Sequence, residues 1–215
     1  MFRRDRENTR GGGIVKLAKN GLYASEKSAK LTCSKEALLL SIRTLGSRSL
    51  DILTVYRPPR NDPDADAQLL EEVRLFSTRS TTLIVGDLNA PQINLSSASA
   101  DSSEAAFDQQ LLRTSDNLLL TRHVMFPTRV REGQQMNCLD LVFTKSSDNI
   151  DVVNCLLPFG QSNHAVLMWE CPLSSLPAQP LDSRLNIWRG DFEQMKKDLS
   201  PINWVSTLSG DIERI

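Results

Sequence analysis

The chain has 215 residues, 40% hydrophobic and 24% charged, and 25 basic against 26 acidic side chains leave a net charge of −1. Those values fit one soluble domain with a tail. They exclude collagen-like, mucin-like and wholly disordered chains, and also a uniformly basic nucleic-acid coat protein.

The first ten residues, MFRRDRENTR, are charged rather than apolar, so they form no secretory signal. With Gly11-Gly12-Gly13 behind them they read as a disordered basic leader. Across residues 1–30, eight basic side chains stand against three acidic ones, a local balance suited to an anionic partner. Glu36–Arg43 (EALLLSIR) and Leu50–Tyr56 (LDILTVY) are apolar runs linked across Gly46, which predicts a β-hairpin. Pro58 and Pro59 stop the second strand. Asp64–Phe76 predicts a helix, with Leu69, Val73 and Phe76 at helical spacing and acidic residues near its start.

Thr82–Val85 (TLIV) is a short apolar run of the kind buried on both faces of a sheet. It leads into the loop Gly86-Asp87-Leu88-Asn89-Ala90-Pro91. Ser96–Ser103 reads as a surface loop and Glu104–Arg113 as a second helix. Leu118–Leu120, Cys138–Phe143, Val152–Leu156 and Ala165–Trp169 read as short strands. Pro172–Pro180 is Pro/Ser-rich and linker-like, and Asp191–Leu199 predicts a short amphipathic helix. The fold class is therefore α/β, sheets covered by helices. Cys33, Cys138, Cys155 and Cys171 form no Cys-x-x-Cys pair, which argues against structural zinc and for free thiols in the nucleus or cytoplasm. No run approaches the ~20 apolar residues that cross a bilayer, so no membrane partner is expected.

Chemistry concentrates at strand ends. Asp87 and Asn89 leave the edge of a buried strand, where an acid can activate water or hold a metal and an amide can bond a phosphate oxygen. The same Gly-Asp-x-Asn is also ordinary turn chemistry. His164, one of two histidines, precedes an apolar strand and is a candidate acid, base or phosphate binder, although a lone histidine is more often structural. Asp140, inside CLDLVF, needs a partner if buried, and a histidine is a natural one. The alternative is a solvent-facing Asp on an alternating strand. In Tyr56-Arg57-Pro58-Pro59 a phenol stands beside a guanidinium suited to phosphate.

Taken in order, Tyr-x-Pro, Gly-Asp-x-Asn, Leu-Asp-Leu and Ser-Asn-His resemble the endonuclease/exonuclease/phosphatase superfamily. They are closer still to the endonuclease domain of non-LTR retrotransposons of the jockey and LINE type. The segments carrying the resemblance are RRDRENTRGGGIV, LTVYRPP, LIVGDLNAP, Pro127–Arg129 (PTR), CLDLVFT and FGQSNHAVL. The tail NIWRGDFEQMKKDLSPINW is similar to the stretch on the C-terminal side of this domain in such polyproteins.

The resemblance implies a DNase I-like sandwich of two packed sheets over residues 1–171, a linker at 172–186, and a helical tail at 187–215 leading toward a reverse transcriptase. It implies DNA nicking by phosphodiester hydrolysis with Mg²⁺ or Mn²⁺, with RNA of the same element as a further partner through the rest of the polyprotein. Asp87 would activate the water, Asn89 orient the phosphate and Tyr56 contact the phosphate region. Asp140 would support His164, and Thr128 would lie near the DNA phosphate, with Arg57, from its own residue type, as a further substrate-binding candidate. In the family an opening strand with an active-site Asn, and a Gln-Glu pair that binds metal, lie upstream of the Arg-Asp-Arg…Gly-Gly-Gly segment. That segment lies here at residues 4–13, so a domain cut short at its N-terminus, without its first strands, is expected. Asn163 stands where the family has Asp, a weaker metal position because an amide carries no charge. Weak or absent activity is the expected consequence. The alternatives are a non-catalytic fragment that binds nucleic acid or a partner chain, or a phosphatase-type member of the superfamily.

Overall fold

The structure is a computed structural model that describes residues 1–5, 13–31, 36–44, 47, 49–59, 62–79, 81–94, 99–100, 102–131, 133, 135–145, 150–172 and 191–201. The chain divides into two compact units, Met1–Pro177 and Ala178–Ile215.

The first unit is built on the predicted hairpin. Strand β4 (Ala37–Arg43) and strand β5 (Leu50–Tyr56) pair antiparallel, Leu39 opposite Leu53. Leu38, Leu39 and Leu53 are fully buried, and each contributes about 1.5–3 kcal/mol by leaving water. Helix α1 (Pro63–Phe76) starts where the sequence sets it up. The Asp62 carboxylate accepts the Ala65 N–H at 3.1 Å, and Pro63 occupies the first turn, where its missing N–H costs nothing. Leu69, Leu70, Val73 and Phe76 bury one face of α1.

Strand β6 (Thr82–Asp87) then lies parallel to β5, so β5, α1 and β6 form a crossover unit. It delivers the C-terminal ends of both strands to one rim, Tyr56 beside Asp87. Strand β10 (Asp140–Thr144) runs antiparallel on the other side of β6 and starts at the same rim, Asp140 beside Asp87. Strand β3 (Tyr23–Glu26) and strand β9 (Thr121–Arg122) close the edges, giving a six-stranded mixed sheet of order β3-β4-β5-β6-β10-β9. Helix α2 (Phe107–Asn117) buries Phe107, Leu111, Leu112 and Ser115 in the same body. The α/β class, sheets with covering helices, is the class expected.

Further two-stranded sheets join β1 (Phe2–Arg4) to β2 (Ile14–Lys16), β7 (Ile93–Asn94) to β8 (Ser99–Ala100), and β11 (Asn154–Leu156) to β12 (Val166–Met168). Five local expectations need correction: Gly86 and Asp87 end strand β6 rather than open a loop, Ser99–Ala100 inside the predicted Ser96–Ser103 loop is strand β8, and three more concern the leader, the second helix and Leu118–Leu120. Within the leader, expected to be disordered, Phe2–Arg4 is a strand paired to β2, Arg4 opposite Ile14, and Arg6 and Arg10 lie outside the described residues. The second helix is later than predicted, because its buried face continues through Leu112 and Ser115 and its N-terminal cap is Ala106 rather than a residue before Glu104. Consequently Leu118–Leu120 is not a strand. Leu118 caps α2, Leu119 takes a left-handed φ of 53°, and pairing begins only at Thr121.

Cys138, Cys155 and Cys171 are free thiols, as expected, and Cys33 lies outside the described residues. Burial pushes the Cys138 thiol up to about 12, so it is unreactive. Most of the predicted linker lies outside the described residues too. In the second unit, helix α3 (Phe192–Leu199) is capped by Asp191, whose carboxylate accepts the Gln194 N–H at 2.9 Å. No helix among the described residues is long and apolar enough to cross a membrane.

Candidate active site

Three strand ends place three functional side chains in a row. Tyr56 on β5 is in register with Asp87 on β6, and Asp87 with Asp140 on β10. Residues directly opposite on paired strands point to the same face with Cβ atoms about 4.5–5.5 Å apart. The row is thus fixed by the sheet, not by loop conformation. Asp87, Asp140 and His164 each bring a ligand atom within 4.8 Å of the others.

Each member is held by a different device. His164 pairs in an antiparallel bridge with Arg129, and its ring Nδ1 is 2.8 Å from Asp140 Oδ2. A carboxylate oxygen accepts, so Nδ1 donates its N–H to Asp140, and in the neutral ring Nε2 would be the acceptor. The Thr128 hydroxyl donates to the same Oδ2 at 2.8 Å, and accepts the Leu139 and Asp140 N–H groups, both at 3.0 Å. Asp140 Oδ1 accepts no hydrogen bond among the described residues. Thr128 is fully buried with its hydroxyl saturated, so it does not face a DNA phosphate as expected. It positions Asp140 instead.

Asp87 sits in a costly place. Burial, then the negative charge of Asp140, pushes its carboxyl up to about 6, against the opposing pull of His164, the Asn89 N–H and Arg129. Asn89 takes a left-handed φ of 44°, a conformation asparagine tolerates better than most side chains. That bend lets its N–H donate to Asp87 Oδ1 at 3.2 Å. Its amide nitrogen donates to the Arg57 carbonyl at 2.7 Å.

Arg57 is held from several sides. Its Nε and Nη2 clamp Asp66 on α1 at 2.6 and 2.7 Å, its guanidinium lies 4.0 Å over the Phe107 ring of α2, and its Nη1 donates to the Asn89 carbonyl at 2.9 Å. Three of its five N–H groups and one face of its plane are thus engaged within the protein. It ties both helices to the Asp87–Asn89 loop. Asp66 and Phe107 are the partners that sequence reading missed, because an acid in a first helical turn has a sufficient reason to be there.

Lysine supplies neither the paired fork nor the flat stacking face. Arg57→Lys is therefore expected to lower stability by about 1–2 kcal/mol, leaving the buried Asp66 half-satisfied. Urea denaturation measures this, and an unchanged midpoint and slope would mean that Arg57 does not brace the loop.

The donor set suits a divalent cation. Two facing carboxylates, one with an uncommitted oxygen and the other resisting ionisation, are relieved by positive charge between them, and with one imidazole they form a donor set that could hold a metal ion. Asn163 is exposed, and its carbonyl accepts the Val130 N–H at 3.0 Å one residue before His164.

A mixed α/β sheet with paired aspartates and an Asp–His couple at its strand ends places the chain in the DNase I-like class of folds. Residues 50–168, from the start of β5 to the end of β12, match the family described as endonuclease-reverse transcriptase, and the chain belongs to that family. Every site residue above lies within that span. Among solved structures, the chain is similar to the "Endonuclease domain of TRAS1, a telomere-specific non-LTR retrotransposon". The identity is 19% and the TM-score 0.56, covering 71% of this chain and 68% of that one. At that identity the likeness is one of fold. No curated protein matches the chain.

Proposed function

We propose that the chain is the endonuclease domain of a non-LTR retrotransposon and nicks DNA by phosphodiester hydrolysis, assisted by Mg²⁺ or Mn²⁺. The observation that carries this reading is the in-register placement of Asp87 and Asp140 with His164 beside them. Asp87 and Asp140 would hold the cation. When bound, it would offset charge on the phosphate and lower the pKa of a coordinated water.

The chain's own residues divide the remaining work. Asp87 would accept a proton from the attacking water as the new P–O bond forms and the P–O bond to the leaving sugar oxygen breaks, that oxygen taking its proton from solvent. His164, its tautomer fixed by Asp140, holds an acceptor at Nε2 that orients the water or a phosphate-bound proton. The second N–H of the Asn89 amide and the Tyr56 phenol face the phosphate as it gains charge. Asn163 adds no charge to the rim, so the ion is held weakly and nicking is slow. RNA of the same element reaches the domain through the rest of the polyprotein.

Conversion of supercoiled to open-circular plasmid tests this. Slow nicking is expected in Mg²⁺ or Mn²⁺, none in EDTA and none with Asp87→Ala. Nicking that survives Asp87→Ala would falsify the mechanism. DNA binding without nicking at any Mg²⁺ or Mn²⁺ concentration would favour a non-catalytic binding module, the reading that the exposed Asn163 amide supports.

A further inference from the structure

The geometry points to Arg129 as a phosphate-binding residue of this site, a role that rests on the phosphodiester reading above. A rim carrying Asp87 and Asp140 repels any phosphodiester, so a cation fixed in the protein must help seat it. Among the described residues, Arg57 follows Tyr56 at the end of β5 and Arg129 lies opposite His164. Arg57 is spent on Asp66, Phe107 and the Asn89 carbonyl.

Arg129 is different on each count. It lies directly opposite His164 in an antiparallel bridge and opposite Asn137 in another. Its N–H donates to the Asn137 carbonyl at 2.9 Å, and its carbonyl accepts the Asn137 N–H at 3.2 Å. The flanking residues are pinned as well, Thr128 by the Ala165 N–H at 2.7 Å and Val130 by the Asn163 carbonyl at 3.0 Å. The backbone is thus locked from both sides, next to the threonine that holds Asp140 and across from the histidine that bonds it. The side chain is half-buried, and among the described residues no carboxylate hydrogen-bonds its guanidinium. That guanidinium is still near enough to help pull the Asp87 carboxyl down.

A partly desolvated guanidinium on a rigid backbone, with its fork of donors unused, matches the two non-bridging oxygens of a phosphodiester. It interacts more strongly as charge builds on those oxygens during hydrolysis. The contact carries no sequence information, because phosphate is the same at every step of DNA.

The test is fluorescence anisotropy of the whole chain with a short labelled DNA duplex, in EDTA to hold cleavage off, across a NaCl series. Arg129→Ala is expected to weaken binding about tenfold at low salt and to reduce the slope of log affinity against log salt by about one, the signature of one lost phosphate contact. Arg129→Lys should keep the slope, because the charge remains. Arg74→Ala, which removes an exposed arginine paired with Glu71 on α1, should leave affinity and slope unchanged. The melting temperature of Arg129→Ala should equal that of the parent, because no side-chain hydrogen bond is lost.

An Arg129→Ala chain that binds DNA like its parent, or loses no more slope than Arg74→Ala, overturns the assignment while leaving the DNA reading in place. A large drop in melting temperature without a change in slope makes Arg129 structural and also overturns it. A parent chain that binds no DNA at any salt concentration overturns both.

Discussion

Asp87→Asn should abolish hydrolysis and make the protein more stable. The expected activity loss is about 10³-fold or more, since on the proposed mechanism the substitution removes both the proton acceptor and one of the two carboxylates that would hold the ion. The stability gain comes from the environment of Asp87. The group is half-buried, stands across from Asp140, and has its carboxyl pushed up from 3.8 to about 6. A carboxyl with a raised pKa in the fold favours the native state fully below its unfolded value. That favour is lost as pH rises through the folded value. Above pH 6 the ionised group therefore opposes folding, and an amide of the same shape does not.

After allowance for solvent screening at a half-exposed group, the gain at pH 8 is about 1 kcal/mol, or ~2–4 °C in melting temperature for a body of this size. At pH 5 most of the difference should vanish, because Asp87 is then largely neutral in the fold. Melting curves in EDTA at the two pH values decide it. A variant that melts no higher than its parent at pH 8 would mean that the rim is not electrostatically strained.

The same residues explain how much of the fold and site is legible in the sequence. The hairpin, α1 and β6 are legible because their signals are local: continuous apolar runs, a Gly link, an Asp cap followed by Pro63. The row of Tyr56, Asp87 and Asp140 is legible only as an ordered set of weak motifs, and register on paired strands joins its members. The edges of the sheet are not legible. Tyr23–Glu26 and Thr121–Arg122 carry almost no hydrophobic alternation, and they are strands because β4 and β10 offer them backbone partners. The family resemblance marks Thr128, and residue type marks Arg57, as phosphate ligands. Partners distant in sequence redirect them, Asp140 twelve residues on for Thr128 and Phe107 on α2 for Arg57. Such pairings belong to tertiary structure and leave no trace in spacing.

Gly86 shows how a motif glycine serves the site through the backbone, and Gly86→Ala should be the most damaging single-residue change to the fold. Gly86 has a φ of 149°, outside the comfortable range of residues with a side chain. It faces Val55 across the parallel β5–β6 pair, immediately before the Tyr56–Asp87 pair. A Cβ added there would lie 1.8 Å from the Val55 carbonyl oxygen and 2.8 Å from its carbon. Both are backbone atoms of a central strand and cannot swing aside. The strands would have to separate where they set the spacing of Tyr56, Asp87 and Asp140. The expected cost is roughly 4 kcal/mol, combining backbone strain with broken ladder hydrogen bonds.

Gly21 separates the two contributions. Its φ of 96° is also unfavourable for alanine, but a Cβ there meets nothing within 4 Å. Gly21→Ala should cost only about 1 kcal/mol, the strain alone. Urea denaturation of both variants beside the parent gives the comparison. If the two glycines prove equally tolerant of alanine, the close approach of β5 to β6 is not what fixes Gly86 in this motif, and the spacing of the site must be set elsewhere.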